Sequence, residues 1–154
     1  MKKGQAALDF LMTYGWAIAL VVIVAAALFA LGVFDVSNFV GTKAAGFSGV
    51  AVQGWSMTGS TGVLSVKLTN QVGQKINITG VSATIGTETQ AFNVTGLSTG
   101  TSSGATTGQL DATFTGAGKV SSGSGYQASV TVNYTDMNSG FAASTKGTLT
   151  GKAV

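Results

Sequence analysis

Three Asn-X-Thr triplets hold the side chains best suited to covalent modification: Asn77-Ile78-Thr79, Asn93-Val94-Thr95 and Asn133-Tyr134-Thr135. Each carries the acceptor signature for an N-linked glycan, provided that its segment lies outside the cell. The competing reading is a strand-edge Asn-Thr pair in a chain rich in Thr. Otherwise the reactive inventory is sparse. His and Cys are both absent, which removes the commonest general base, the commonest metal ligand and the most nucleophilic side chain. The five acids, Asp9, Asp35, Glu88, Asp111 and Asp136, are scattered, and no pair suggests a carboxylate dyad or an oxygen-ligand metal loop. No nucleophile–base set or phosphate loop is present. The sequence therefore predicts no enzyme, no catalytic residue, no metal and no cofactor.

The lysines do not point to a nucleic-acid partner either. They occur as Lys2, Lys3, Lys43, Lys67, Lys75, Lys119, Lys146 and Lys152, for a net charge of +3. This is a solvated distribution, without the density or interleaved aromatics of a nucleic-acid patch. Only 8% of the 154 residues are charged, against about 25% in an ordinary soluble domain. The length suits one domain plus one additional element. Without Cys, no disulfide scaffold is available for stability.

The additional element is the segment from Phe10 to Phe34, which contains no charge. As a helix it is about 37 Å long, enough to cross a hydrocarbon core of about 30 Å. It exceeds the apolar core of an ordinary secretory signal. Lys2 and Lys3 precede it and Asp35 follows, so charge bias predicts a cytoplasmic N-terminus and an external remainder. The helix is apolar on every side, so it must be buried in lipid or among other helices. Ala17, Ala19, Ala25, Ala26, Ala27 and Ala30 permit close helix approach.

Beyond Asp35 the periodicity changes. Residues 36–49 read as a helix end passing into a linker, with stops at Asn38, Gly41 and Gly46. Short apolar-alternating runs follow at 50–57, 63–69, 76–78, 81–85, 90–94, 109–115, 126–134 and 141–149. They predict an α+β chain: a long N-terminal hydrophobic α-helix, then an all-β antiparallel sandwich head, Ig-like in architecture. Residues 99–107 and 121–125 read as low-complexity surface loops.

The segment before the apolar run is Lys2-Lys3-Gly4-Gln5-Ala6-Ala7-Leu8-Asp9-Phe10. It resembles the class III signal peptide of archaeal type IV pilins, in which a short basic leader ends in Gly and is cut by a membrane aspartic peptidase. Phe10-Leu11-Met12-Thr13-Tyr14-Gly15-Trp16-Ala17 also looks like this family. The resemblance spans about residues 2–34; over the head it is architectural only. It implies a processing site at Lys3, Gly4 and Gln5, with cleavage between Gly4 and Gln5. It also implies an acid at the fifth position of the trimmed chain, which here is Asp9. The implied division is a leader at 1–4, a membrane and filament-core helix at 5–40, a linker at 41–49 and a head at 50–154.

On that reading Gln5 and Asp9 are assembly residues, the carboxylate neutralising the new α-amino group of its own chain or of an incoming neighbour. A plain dipole-compensating role for Asp9 at a helix start competes with it. The implied partners are identical subunits, a prepilin peptidase, a pilus assembly ATPase and a membrane platform protein. Membrane lipid surrounds the helix before assembly, and a cell or abiotic surface meets the finished filament. The precursor is expected in the cytoplasmic membrane and the product outside the cell. A membrane-anchored extracellular binding module is the alternative from another class. An archaellin is the nearest filament relative, but such chains usually continue with a Gly-Ile-Gly-Thr-Leu-Ile type run where this one has Gln5-Ala6-Ala7-Leu8-Asp9-Phe10-Leu11-Met12.

Overall fold

The computed structural model describes residues 2–31, 33, 41–95 and 100–154, with the side chains of 2–6 and 11 outside that description. The chain divides into two compact units, Met1–Asn38 and Phe39–Val154. Together they make an α+β chain, one apolar helix and one antiparallel body built of two sheets.

Helix α1 covers Lys2–Ala30. Recurrent Ala, Leu and Met favour it against the β-branched run Val21-Val22-Ile23-Val24, and no Pro occurs anywhere in the chain. Within it, Ala7–Ala30 is long and apolar enough to cross a membrane, with a mean hydropathy of 2.3. None of its described side chains is buried; Trp16 is 67% exposed and Phe29 71%. Within the helix, side chains one turn apart meet, as where the Phe10 and Tyr14 rings sit 4.7 Å apart. The last turn closes through Leu31 N–H donating to the Ala27 carbonyl at 2.9 Å and Val33 N–H to that of Leu28 at 3.1 Å. Residues 34–40, including the expected stop at Asn38, lie outside the described residues.

The second unit contains β1 (Lys43–Ala45), β2 (Val50–Thr58), β3 (Val63–Asn70), β4 (Ile76–Ile85), β5 (Glu88–Ala91), β6 (Leu110–Thr113), β7 (Gly125–Asp136) and β8 (Ala142–Lys152). One sheet runs β1-β8-β7-β4-β5 and the other β2-β3-β6, and every pairing is antiparallel. Alternation decides the faces. Leu64, Val66 and Leu68 of β3 are buried while Lys67 is exposed; on β7, Tyr126, Ala128, Val130 and Val132 are buried. Both sets belong to one hydrophobic cluster with Phe114 and Leu149.

Two strands change phase to keep feeding that cluster. In β4 the buried residues are Ile76 and Ile78, then Val81, Ala83 and Ile85, and a register shift between Ile78 and Gly80 switches the parity. β2 does the same between Val52 and Gly54, so that Val50 before the shift and Met57 after it are both fully buried. An extra residue on one strand flips the side chains that follow. The runs at 76–78 and 81–85 are therefore one strand.

Residues 43–45, within the segment read as a linker, pair with β8 from Lys43 opposite Thr150 to Ala45 opposite Thr148. Thr150 Oγ1 donates to the Gly41 carbonyl at 3.0 Å, and Ser48 N–H donates to Thr145 Oγ1 at 2.9 Å. Phe47 lies over Gly147, where a Cβ would collide with its ring. The Thr-rich stretch also differs from a free surface loop. Thr101 bridges to Ile76 and Thr106 to Thr69, while Thr101 and Thr107 are buried. Asn70, 1% exposed, anchors this strap. Its Nδ2 donates to the carbonyls of Gln74 at 2.7 Å and Thr101 at 2.8 Å, and its Oδ1 accepts from Val72 N–H at 2.9 Å.

Candidate functional site

At the start of the chain the helix passes without interruption through Lys3, Gly4, Gln5 and Asp9. The side chains of Lys3 and Gln5 lie outside the described residues; Asp9 is exposed. No acidic residue stands in the first turn. Asp9 follows Lys2 by about 10 Å of axial rise at ~1.5 Å per residue, and the helix-dipole effect fades within the first turn. In the untrimmed helix Asp9 is therefore not a dipole-compensating residue. Its backbone carbonyl accepts from Thr13 Oγ1 at 2.7 Å, the back-bonding that satisfies a Thr hydroxyl within an apolar helix. Gln5 and Asp9 are one turn apart (i, i+4), which places them on one face, about 6 Å apart along the axis.

The three Asn-X-Thr triplets have different surroundings. Asn77 lies on β4 opposite Thr135, partly buried, and its Oδ1 is enclosed without a hydrogen-bond partner. Asn93 follows β5 and is exposed. Its Oδ1 accepts from Thr95 N–H at 3.0 Å and from the Thr95 hydroxyl, so Asn93 and Thr95 form an Asx turn. Asn133 is exposed on β7, opposite Ser144. It borders an open groove of about 340 Å³ with Thr79, Tyr134, Ala142 and Ala143. Asn93 and Asn133 thus offer their amides to solvent, and Asn77 only in part.

Three polar centres of the head escaped sequence reading. Glu88, at the start of β5, accepts from Gln90 Nε2 at 2.8 Å and from the backbone N–H groups of Thr115, Gly116 and Gly118 at 3.1, 3.0 and 2.8 Å. The Gln90 amide above all, then the Gly118 and Thr115 N–H groups, stabilise the carboxylate and lower its pKa to about 2. The contact joins the β4–β5 hairpin of one sheet to the chain leaving β6 of the other. Asp111 accepts from Ser65 Oγ at 2.6 Å and from Gln109 Nε2 at 3.0 Å, and these donors, Ser65 first, hold its carboxyl below the usual range. The third centre is Asn70. Their partners come from across the fold: Glu88 meets residues 115–118, Asp111 meets Ser65, and Asn70 meets Thr101. The sequence contains no local signal for any of them.

Among the described residues, no three His, Cys, Asp or Glu side chains gather as metal ligands. The chain matches no protein-family model and no curated protein.

Proposed function

We propose that the chain is the structural subunit of an archaeal type IV adhesion pilus. A prepilin peptidase removes residues 1–4, and the trimmed chain polymerises through its apolar helix into an extracellular filament. The observation that carries this reading is the placement of Gln5 and Asp9 one turn apart on an uninterrupted helix, none of whose described side chains is buried. Trimming after Gly4 would create an α-amino group at Gln5 and leave Asp9 as the first acid behind it. Between packed helices both charges are desolvated, and a slip by one residue would leave them unpaired, so the pair would set register. Ala25, Ala26, Ala27 and Ala30 leave room for close helix approach once lipid is exchanged for neighbours.

The head is read as an Ig-like β-sandwich in the broad sense, supported by two antiparallel sheets whose buried residues share one hydrophobic cluster. It coats the filament and presents Ser, Thr and glycan-bearing Asn residues to other surfaces. Cutting is the direct test. Co-expression with a prepilin peptidase in a membrane host should shorten the chain by four residues, read by intact-mass spectrometry. An N-terminus left at Met1, or a cut after Ala27, would sink the proposal.

The span Ala7–Ala30 equally suits a membrane-anchored extracellular binding module. In that case the helix is only an anchor, and Asp9→Ala should leave the protein's behaviour unchanged.

A further inference from the structure

Exposed large hydrophobic side chains are few in the head. Among its described residues they are Phe141 at 77%, Met137 at 50% and Val154. Phe141 and Met137 flank a single turn, the one between β7 and β8. Ala142, Ala143 and Ser144 follow on alternating faces and are all exposed, so neither face of β8 is covered before Thr145. The tip of this hairpin thus projects from the body of the head. It also lies far from where the chain enters this unit. The Gly41 carbonyl meets Thr150, and Ala142 stands eight residues earlier in β8, about 27 Å away at ~3.4 Å per residue.

The turn is closed on itself. Asp136 N–H donates to the Phe141 carbonyl at 2.9 Å, Met137 N–H to that of Lys75 at 3.0 Å and Gly140 N–H to that of Asp136 at 2.8 Å. Asp136 Oδ1 accepts from Asn138 N–H at 2.8 Å and from Ser139 N–H at 3.4 Å, and Ser139 Oγ accepts from Phe141 N–H at 3.4 Å. Every backbone N–H from Asp136 to Phe141 therefore has its acceptor inside the head. Beside the turn, the Lys75 stem and the Met137 sulfur close over Gly100, where a Cβ would collide with both.

We propose that this hairpin seats at the headgroup–acyl boundary of a lipid bilayer that the head meets. What the turn offers and what it withholds both favour that partner. Two large apolar side chains on a projecting turn gain by leaving water, and a fluid phase accepts them without a matching pocket. Entry into lipid demands that backbone N–H groups already have partners, as these do. A β-strand added by a protein partner would need free N–H groups at the turn, and none is left. The Lys75 stem can lie along the apolar surface with its ammonium at phosphate level. Asn138 and Ser139 suit the same polar layer. This seat belongs to the head alone, so it holds whether the helix polymerises or only anchors the head.

The test uses the full chain in phosphatidylcholine nanodiscs, labelled at the methionine methyl groups, of which the chain has 4. Phosphatidylcholine vesicles carrying a spin label on the acyl chain are added, and methyl line widths are read by NMR. Met137 should broaden progressively with added vesicles. Met57, which is buried, and Met12, which lies in α1, should keep their widths. Phe141→Ser should raise the lipid concentration for half-maximal broadening about tenfold or more, as for one large apolar side chain lost from the lipid. Phe141→Leu should stay within about threefold of the parent, because lipid makes no demand on shape. The proposal is overturned if Met137 stays sharp, if Phe141→Ser responds as the parent does, or if Met12 broadens together with Met137. It is also overturned if Met137 broadens with protein concentration when no vesicles are present, which would make a second copy the occupant.

Discussion

The helix and the head use apolar residues for opposite ends. In α1 the large side chains face outward, with Met12 81% exposed and Ile23 66%. In the head, Phe114, Leu64 and Leu68 are fully buried. The head alternates small polar and apolar residues and closes on its own core, whereas the helix has no polar face to separate inside from outside. An element that cannot bury itself must be buried by something else: on the proposed reading, first lipid and then copies of itself. The head therefore contributes its own stability, and the helix contributes what the chain does in company.

This division can be tested by breaking each part separately. The largest effect is expected from Asp9→Ala, which should abolish filament formation, seen by electron microscopy of shed surface material. The circular dichroism of the β head should stay unchanged, because Asp9 lies in the other unit. Next comes Phe114→Ala, which should lower head stability by about 3–5 kcal/mol in denaturant unfolding, as for other large-to-small core changes. A large-to-small substitution in the helix, Ile23→Ala, should leave the head transition in place. Asn70→Ala should cost about 1–3 kcal/mol for the carbonyl and N–H groups it leaves unpaired. It should also release the strap at residues 100–107, detected as faster amide exchange at Gly104 and Thr107.

The smallest effect concerns pH. The donors around Glu88, Gln90 first, hold its folded pKa down to about 2 from the ordinary glutamate value of 4.5, so its carboxylate contributes stability above about pH 4.5. That contribution is lost as pH falls through 4.5 toward 2. Glu88→Gln should therefore melt earlier than the parent at neutral pH, and the two curves should converge near pH 2. A difference that grows on acidification would contradict the assignment of the clamp to the ionised carboxylate.

Much of the fold was legible because local pattern and burial agree. β3 and β7 fall where alternation placed them, and the apolar run of α1 declares itself. The bulges were harder to read. A shift of phase at Gly80 looks like a break between two strands until the partner strand supplies the pairing. β1 has only three residues, and it is a strand because β8 holds it. The strap at 100–107 has low-complexity Thr and Gly residues; its order comes from Asn70 and Ile76, remote in sequence. At Gly4, Gln5 and Asp9 the candidate site rests on the resemblance of the leader and the helix start, and the structure adds only that these residues lie along one helix. The Glu88 clamp was not legible, because the β4–β5 hairpin must meet residues 115–118 before the carboxylate finds its backbone donors.

The most direct test of the central claim is electron cryo-microscopy of filaments sheared from cells that make this chain. The account predicts a helical polymer whose core is packed α1 segments beginning at Gln5, with a β head on the outside of each. A chain found only as an unassembled protein in the membrane, in cells with an active pilus machinery, would contradict it.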